Sequence, residues 1–558
     1  MNIFTKSKWL LPGLFLVQLM ACSKHDTKPS YGAPTVALSS TDYKVKIGTT
    51  GTLTAQVGNA IDAVYTWKQD GKILSTNLTC PFDGSQVGEY FVTFRVDAEN
   101  GSMEQQVKVT VADKLPPQIN MPTNIIAFLR QDNPIAAIVS YADSAKYVWR
   151  LNGTIVSTDS IYNAHATVQG SNILTLQVTN SDGSDLKLFG LGFIPPPPAE
   201  LYFDDGHYRL AGDVSTKRLS IPLGKSLILA PVAAHIPSAA LFQWTVNGVA
   251  RSSSSVYLTY TPAAKGTALI TVTAAGVTAS VNVECVDAEG TFFRAPSAGS
   301  KYIANTAFEV IPAPGQFTAY GPGSSASDAL NDFLNGMTPT NTQWITSLGA
   351  YGGYAITGFD HSVSDVAGKP DIGINGNQFA QWSEPGIVWV SQDENGNGLP
   401  DDTWYELKGS ETGNPATNQR YAITYYKPSA PGQDVLWVDN IGGKGSVDYN
   451  QYHSQPYYFP MFINTDSYTL VGTCLQSTMM IGDLETSAGY AWGYVDNVGD
   501  GTPSTFKIED AIRADGTPAN LKYIDFVKVH TGMTGKGAAV GEISTETGAP
   551  FDLNLNKQ

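Results

Sequence analysis

At 558 residues the chain is too long for one ordinary domain, and roughly three to five are expected. Only 15% of residues are charged, and the formal net charge is −16. An acidic chain with no basic cluster excludes nucleic acid as a partner and excludes electrostatic docking on anionic lipid. Abundant Gly, Tyr, Thr and Val, with no long 3.6-residue period, predict β structure throughout.

Lys6 and Lys8 precede an apolar run from Trp9 to Met20, followed by Leu19-Met-Ala-Cys22. The run is too short to span a bilayer as a mature helix, so residues 1–21 read as a signal segment. A small residue directly before Cys resembles the lipobox of bacterial lipoproteins. The resemblance implies acylation of Cys22, with residues 22–33 as a tether; the plainer reading is an ordinary signal peptide with an incidental cysteine. Ser-Lys-His-Asp26 resembles the signal that sends Bacteroidetes lipoproteins to the outer face of the outer membrane, which implies display at the cell surface. Cys80, Cys285 and Cys474 are odd in number and far apart, so no disulfide framework is implied and each is expected to be buried.

From Pro34 the chain repeats itself. Tyr65-Thr-Trp67-Lys-Gln-Asp-Gly71 is echoed by Tyr147-Val-Trp149-Arg-Leu-Asn-Gly153 and by Phe242-Gln-Trp244-Thr-Val-Asn-Gly248. Alternation running into Asp-Gly or Asn-Gly is a hairpin signal. A second alternating strand follows in each repeat: Tyr90–Val96, Ile173–Val178 and Ala268–Thr273. The period of roughly 80 to 95 residues suits a β-sandwich with one Trp as its core plug. The pattern resembles the PKD-like and immunoglobulin-like modules of bacterial surface proteins, with modules at 34–113, 114–195 and 199–288. Leu115-Pro-Pro117 and Ile194-Pro-Pro-Pro-Pro198 are stiff connectors, predicting a jointed spacer that resists folding back.

Residues 290–558 hold six of the ten tryptophans and predict a larger β-sandwich of jelly-roll type. The one helix expected there runs from Ser324 to Gly336, Ser-capped, with Ala329, Leu330, Phe333 and Leu334 on one side. Within this head, Ser391 to Trp404 sets Asp393, Asn395 and Asn397 at alternate positions before Gly398, with Asp401 and Asp402 beyond. The spacing matches D-x-[DN]-x-[DN]-G, but Trp404 replaces the closing Glu and Pro400 blocks an exiting helix. It predicts a structural Ca²⁺ site between strands, formed by Asp393, Asn395, Asn397, Leu399, Asp401 and Asp402. The competing reading is a plain Asx turn. Asp496, Asn497 and Asp500 form a second such turn.

Several head segments, in order, resemble a domain of Bacteroidetes surface lipoproteins: Pro312–Phe317, Gly349–His361, Ile374–Phe379, Ser383–Val388, Trp404–Leu407, Ile524–Val529 and Gly541–Glu546. Relatives of that kind occur beside TonB-dependent outer-membrane transporters, some in vitamin B12 uptake, and bring no catalytic residues with them. The resemblance implies a surface-exposed, lipid-anchored outer-membrane protein that captures a corrinoid or a glycan for such a transporter. Tyr452, His453, Gln455 and Tyr457, with Trp382 and Glu384, are the candidate ligand contacts, because aromatics beside amides stack on a flat ring and bond its edge. His453 is also weighed as a ligand to a cobalt centre. Two alternatives stay open: a glycan hydrolase or lyase drawing on Asp360, Glu384, Glu406 or Glu542, and an adhesin or structural surface protein.

Overall fold

The computed structural model describes residues 34–38, 40–58, 60–210, 217–237, 239–337, 345–378, 382–450, 452–480, 485–497, 502–537 and 540–555. The signal segment, the tether, Cys22 and Asp500 lie outside them. The chain is all-β: three tandem sandwich modules precede a larger sandwich head, which carries the one α-helix among the described residues, Ala326–Gly336. Cys80, Cys285 and Cys474 are buried and free.

Each module stacks a five-stranded sheet on smaller ones. In the first module the order is Asp42–Lys46, Gly101–Ala112, Gly88–Ala98, Val64–Gln69, Lys72–Ser75, and the same order recurs in the other two. The leading strand always runs parallel to the last strand of its module. Trp67, Trp149 and Trp244 are buried, and each indole N–H donates to a backbone carbonyl ten or eleven residues on, at 3.0, 3.0 and 2.8 Å. The plug is therefore apolar in bulk and satisfied at its polar tip. The turns are left-handed at both central residues: Asp70 and Gly71 at φ 48° and 79°, Asn152 and Gly153 at 47° and 84°, Asn247 and Gly248 at 50° and 77°. That is the type I′ geometry whose twist matches the flanking strands. A Cβ on Gly153 would meet open space, so only its backbone angle is at stake. Gly153→Ala should cost the second module about 1–2 kcal/mol, read as a lower urea midpoint of its transition with the other transitions unmoved.

The head is built on a six-stranded antiparallel sheet in the order Thr306–Ile311, Tyr354–Ser364, Tyr523–Thr531, Gly386–Ser391, Trp404–Leu407, Ala511–Ile512. Both of its faces are covered. Val388, Val390, Val527 and Val529 face the helix and the short strands carrying Ile372 and Phe506. Tyr354 and Ile356 face a four-stranded sheet that includes Asn418–Tyr426 and Ser467–Cys474. Strand Tyr523–Thr531 is consequently buried at every position and shows no alternation. The helix starts from a Ser325–Asp328 capping box and buries Ala329 and Phe333.

The second and third modules pack back on the head instead of holding it at a distance. Ile126 and Ile194 of the second module pack on Tyr426 and Val438 of the head, and Asn124 Nδ2 donates to Asp434 Oδ2 at 2.6 Å. Gly192 lies so close that a Cβ there would come within 2.5 Å of Leu436. The third module is tied down by Lys528 Nζ donating to Gly206 O at 2.7 Å, and by His207, whose Nδ1 lies 2.5 Å from Glu309 Oε2 and whose Nε2 lies 2.7 Å from Pro400 O. Burial by itself lowers the pKa of this imidazole, and the Glu309 and Pro400 contacts together more than offset it, so the pKa is raised. A polyproline connector fixes the distance between its ends, not the direction in which the next module leaves. Apolar faces on the second module and the head supply the reason to fold back.

Candidate functional site

Strand Gly386–Ser391 carries an acidic centre at each end. Six residues at about 3.3 Å each put them roughly 20 Å apart.

Before the strand stands Glu384, and beside it lie Asp496 and Glu546, with carboxylate oxygens all within 4.8 Å of one another. Among the described residues this is the group of metal-ligand side chains drawn so close. Ser544 Oγ donates to Glu546 Oε1 at 3.4 Å, and Glu542, two residues before Ser544, lies near Glu384. Asp496 occupies a left-handed turn position at φ 55°, which Asp tolerates. Backbone donors hold the cluster: Asn377 N and Glu546 N donate to Asp496 at 2.6 and 3.0 Å, and Ser544 N to Glu384 Oε1 at 2.9 Å. No described lysine or arginine pairs with any of the three. Burial raises all three pKa values; for Asp496 and Glu546 the neighbouring negative charge adds to it. Next to them Glu542 is 3% exposed and raised to about 8 by burial, with Oε1 accepting from Gln316 N at 2.7 Å and Oε2 unpartnered. Such a cluster keeps its charge only with a hard cation and otherwise shares protons.

After the strand comes the Asn/Asp loop, which closes largely on itself. Asn395 Nδ2 donates to Asp401 Oδ1 and Asp402 Oδ1 at 3.0 and 3.1 Å, and Asn397 Nδ2 to both Asp401 oxygens. Arg218 of the third module adds a bond to Asp401 at 2.8 Å. The expected ring of converging oxygens is therefore not the arrangement seen: amide and guanidinium donors face Asp401 and Asp402, and the Leu399 side chain is exposed. Asp393 Oδ1 stays buried without a partner, while Oδ2 accepts from Gly398 N at 3.0 Å. Glu394, absent from the expected ligand set, points its carboxyl at Ser220 of the third module.

The expected ligand contacts divide. Trp382 is half-buried and hydrogen-bonds Glu384, so both sit at the carboxylate cluster. Gln455 donates to Gln316 O, and His453 packs edge-on against Phe317 at 4.8 Å, which ties the 452–457 segment to Gln316 and so to Glu542. Tyr452 is 81% exposed and Tyr457 half-buried. Tyr458 and Phe459 belong to the core. In the second Asx turn Asn497 spends its amide on the Tyr490 backbone, while Asp496 turns inward to the cluster.

Of the four carboxylates read from sequence, Glu384 and Glu542 stand near enough for the charge of the first to raise the pKa of the second, whereas Asp360 stands apart. Asp360 lies toward the other end of its strand from Tyr354, whose partner His530 is beside the Glu384 end, so Asp360 and Glu384 stand roughly 20 Å apart, beyond the reach of a glycosidase pair. Glu406 faces the third module. Glu546 was the partner that sequence reasoning missed; the Glu-x-Ser-x-Glu alternation of 542–546 was its only signal.

Residues 34–98 match the family model of the PKD-like domain. No curated protein matches the chain. Among solved structures, fibronectin(III)-like modules of Clostridium thermocellum CbhA align at 18% identity over 29% of this chain and 94% of that one, with a TM-score of 0.16. The titin I-band fragment I67–I69 aligns at 13% over 46% and 98%, TM-score 0.14, and Sidekick-1 immunoglobulin domains 1–4 at 15% over 46% and 74%, TM-score 0.15. Scores this low carry no argument about function, and what stands is a PKD-like first module at the start of an all-β chain of sandwiches.

Proposed function

We propose that this is a lipid-anchored surface protein, acylated at Cys22, whose head captures an extracellular ligand at the Glu384 end and leaves it chemically unchanged. The observation that carries this reading is the convergence of Glu384, Asp496 and Glu546, with Trp382 against it and the Gln455–Gln316–Glu542 chain leading to the exposed 452–457 segment. Calcium is the cation this reading assigns to the three carboxylates, since all-oxygen anionic donors suit it. Held there, it supplies positive charge to which ligand oxygens bind. The Asn/Asp loop, closed on its own amides, then serves as the plate against which the third module docks. A corrinoid or a glycan, delivered to a TonB-dependent outer-membrane transporter, is the cargo that the sequence resemblance favours. Among the described residues no helix is long and apolar enough to cross a membrane, so attachment in this reading rests on the lipid.

Titrating the full chain with cobalamin and with a set of oligosaccharides, in calcium and in chelator, tests the reading. Binding should require calcium, fall at least about tenfold in Glu384→Gln, and return the ligand intact. A hydrolysed oligosaccharide would instead support the enzyme reading, for which the raised Glu384 carboxyl is a general-acid candidate. Binding indifferent to both calcium and Glu384→Gln removes the site.

A further inference from the structure

Where the central sheet passes under the third module, the two bodies leave between them a cavity of about 130 Å³. Its sheet wall follows from register. Trp389 and Glu406 are directly opposed across neighbouring strands, and Trp404, two residues before Glu406, shares its side. Leu219 and Leu229 of the third module form part of the facing wall.

Two polar groups in this wall are short of partners. The Trp404 indole N–H is buried and has no acceptor, whereas that of Trp389 donates to His530 Nδ1 at 3.1 Å. Glu406 is 7% exposed, and its carboxyl is met by one side chain, the hydroxyl of Thr473. An orphaned buried donor carries a desolvation cost that an occupant bearing an acceptor would remove. An engineered apolar cavity of about 150 Å³ admits benzene, so a single six-membered ring fits this one. Tryptophan faces favour an aromatic ring.

We propose that this cavity is a binding site for a monocyclic phenol. The ring lies among Trp389, Trp404 and the leucines; the hydroxyl accepts from the Trp404 N–H and donates to Glu406. Because its walls belong to two bodies, the occupant clasps the third module to the head. The site is separate from the carboxylate cluster and does not depend on it.

The test uses p-cresol and toluene as probes on the full chain, read by tryptophan fluorescence and by calorimetry. The expected result is saturable p-cresol binding, tighter than toluene by at least about 3–10-fold, the worth of one of the two hydrogen bonds its hydroxyl makes. Trp404→Phe, which keeps a ring but loses the N–H, should narrow the gap between the two probes to what the Glu406 bond alone sustains, and Leu229→Phe, which fills the space, should abolish p-cresol binding. Chelator and Glu384→Gln should change neither affinity. No saturable binding to the wild-type chain overturns the proposal, as does undiminished p-cresol binding by a folded Leu229→Phe. Should that variant fail to fold, Trp404→Phe decides: an unchanged p-cresol preference overturns the site, and a reduced preference supports it.

Discussion

Withdrawing divalent cations should lower the melting temperature of the head by roughly 5–10 °C and leave the transition of the first module where it was. Calcium at about a hundred times its dissociation constant contributes about 2.7 kcal/mol to the state that binds it, and a domain of this size moves roughly 2–4 °C per kcal/mol. The cause is local. Glu384, Asp496 and Glu546 gather within 4.8 Å with no lysine or arginine among the described residues paired to them, so the ionised cluster is costly until a cation joins it. The first module is the internal control, because its described ion pair outward, Lys46 to Asp182 at 2.6 Å, reaches only the second module. Three variants separate the two acidic centres. Asp496→Asn or Glu384→Gln should erase the response to chelator, and Asp393→Asn should retain it. The reverse pattern would put the ion in the Asn/Asp loop, and no response in any variant would remove calcium from both.

Much of the fold was legible because its signals are local. An aromatic, a Trp two residues on and an Asn-Gly or Asp-Gly pair specify an alternating strand and the turn that ends it. The three turns adopt the left-handed pair of angles those residues tolerate. The Ser325 cap with Asp328 is likewise written within four residues. The folded-back arrangement was not legible: Ile126 and Ile194 read as ordinary strand residues, and nothing in the sequence says that their partners are Tyr426 and Val438. The Asn/Asp loop shows the limit of a spacing motif. Its residues are those of an ion-binding turn, yet Asn395 and Asn397 turn donors toward Asp401 and Asp402, and Arg218, distant in sequence, supplies another. The carboxylate cluster was half legible. In the sequence Glu384 reads as a ligand contact and Asp496 as part of a turn; only the tertiary fold sets them beside Glu546.

Replacing Glu406 by Gln should flatten the loss of head stability as pH rises from about 4.5 to 7. Glu406 lies opposite Trp389 beneath the third module, with the Thr473 hydroxyl as its side-chain partner, and burial raises its carboxyl to about 7. Across that window the unfolded chain has released this proton and the folded chain still holds it. The folded state therefore binds more protons, and stability falls with increasing pH. The contribution is fully present below about 4.5 and gone once pH has passed about 7. With the carboxyl raised from 4.5 to about 7, it amounts to about 3 kcal/mol. Gln cannot ionise, so that share of the slope should vanish. Other buried carboxylates also titrate, and the quantity to measure is the difference between wild type and variant: urea unfolding of the full chain at pH 5 and pH 7.5, with calcium held saturating. Glu406→Gln should be no more stable than wild type at the lower pH and more stable at the higher one. Equal slopes in the two proteins would mean that Glu406 ionises in the folded state as readily as in water, and that the sheet face under the third module is wet.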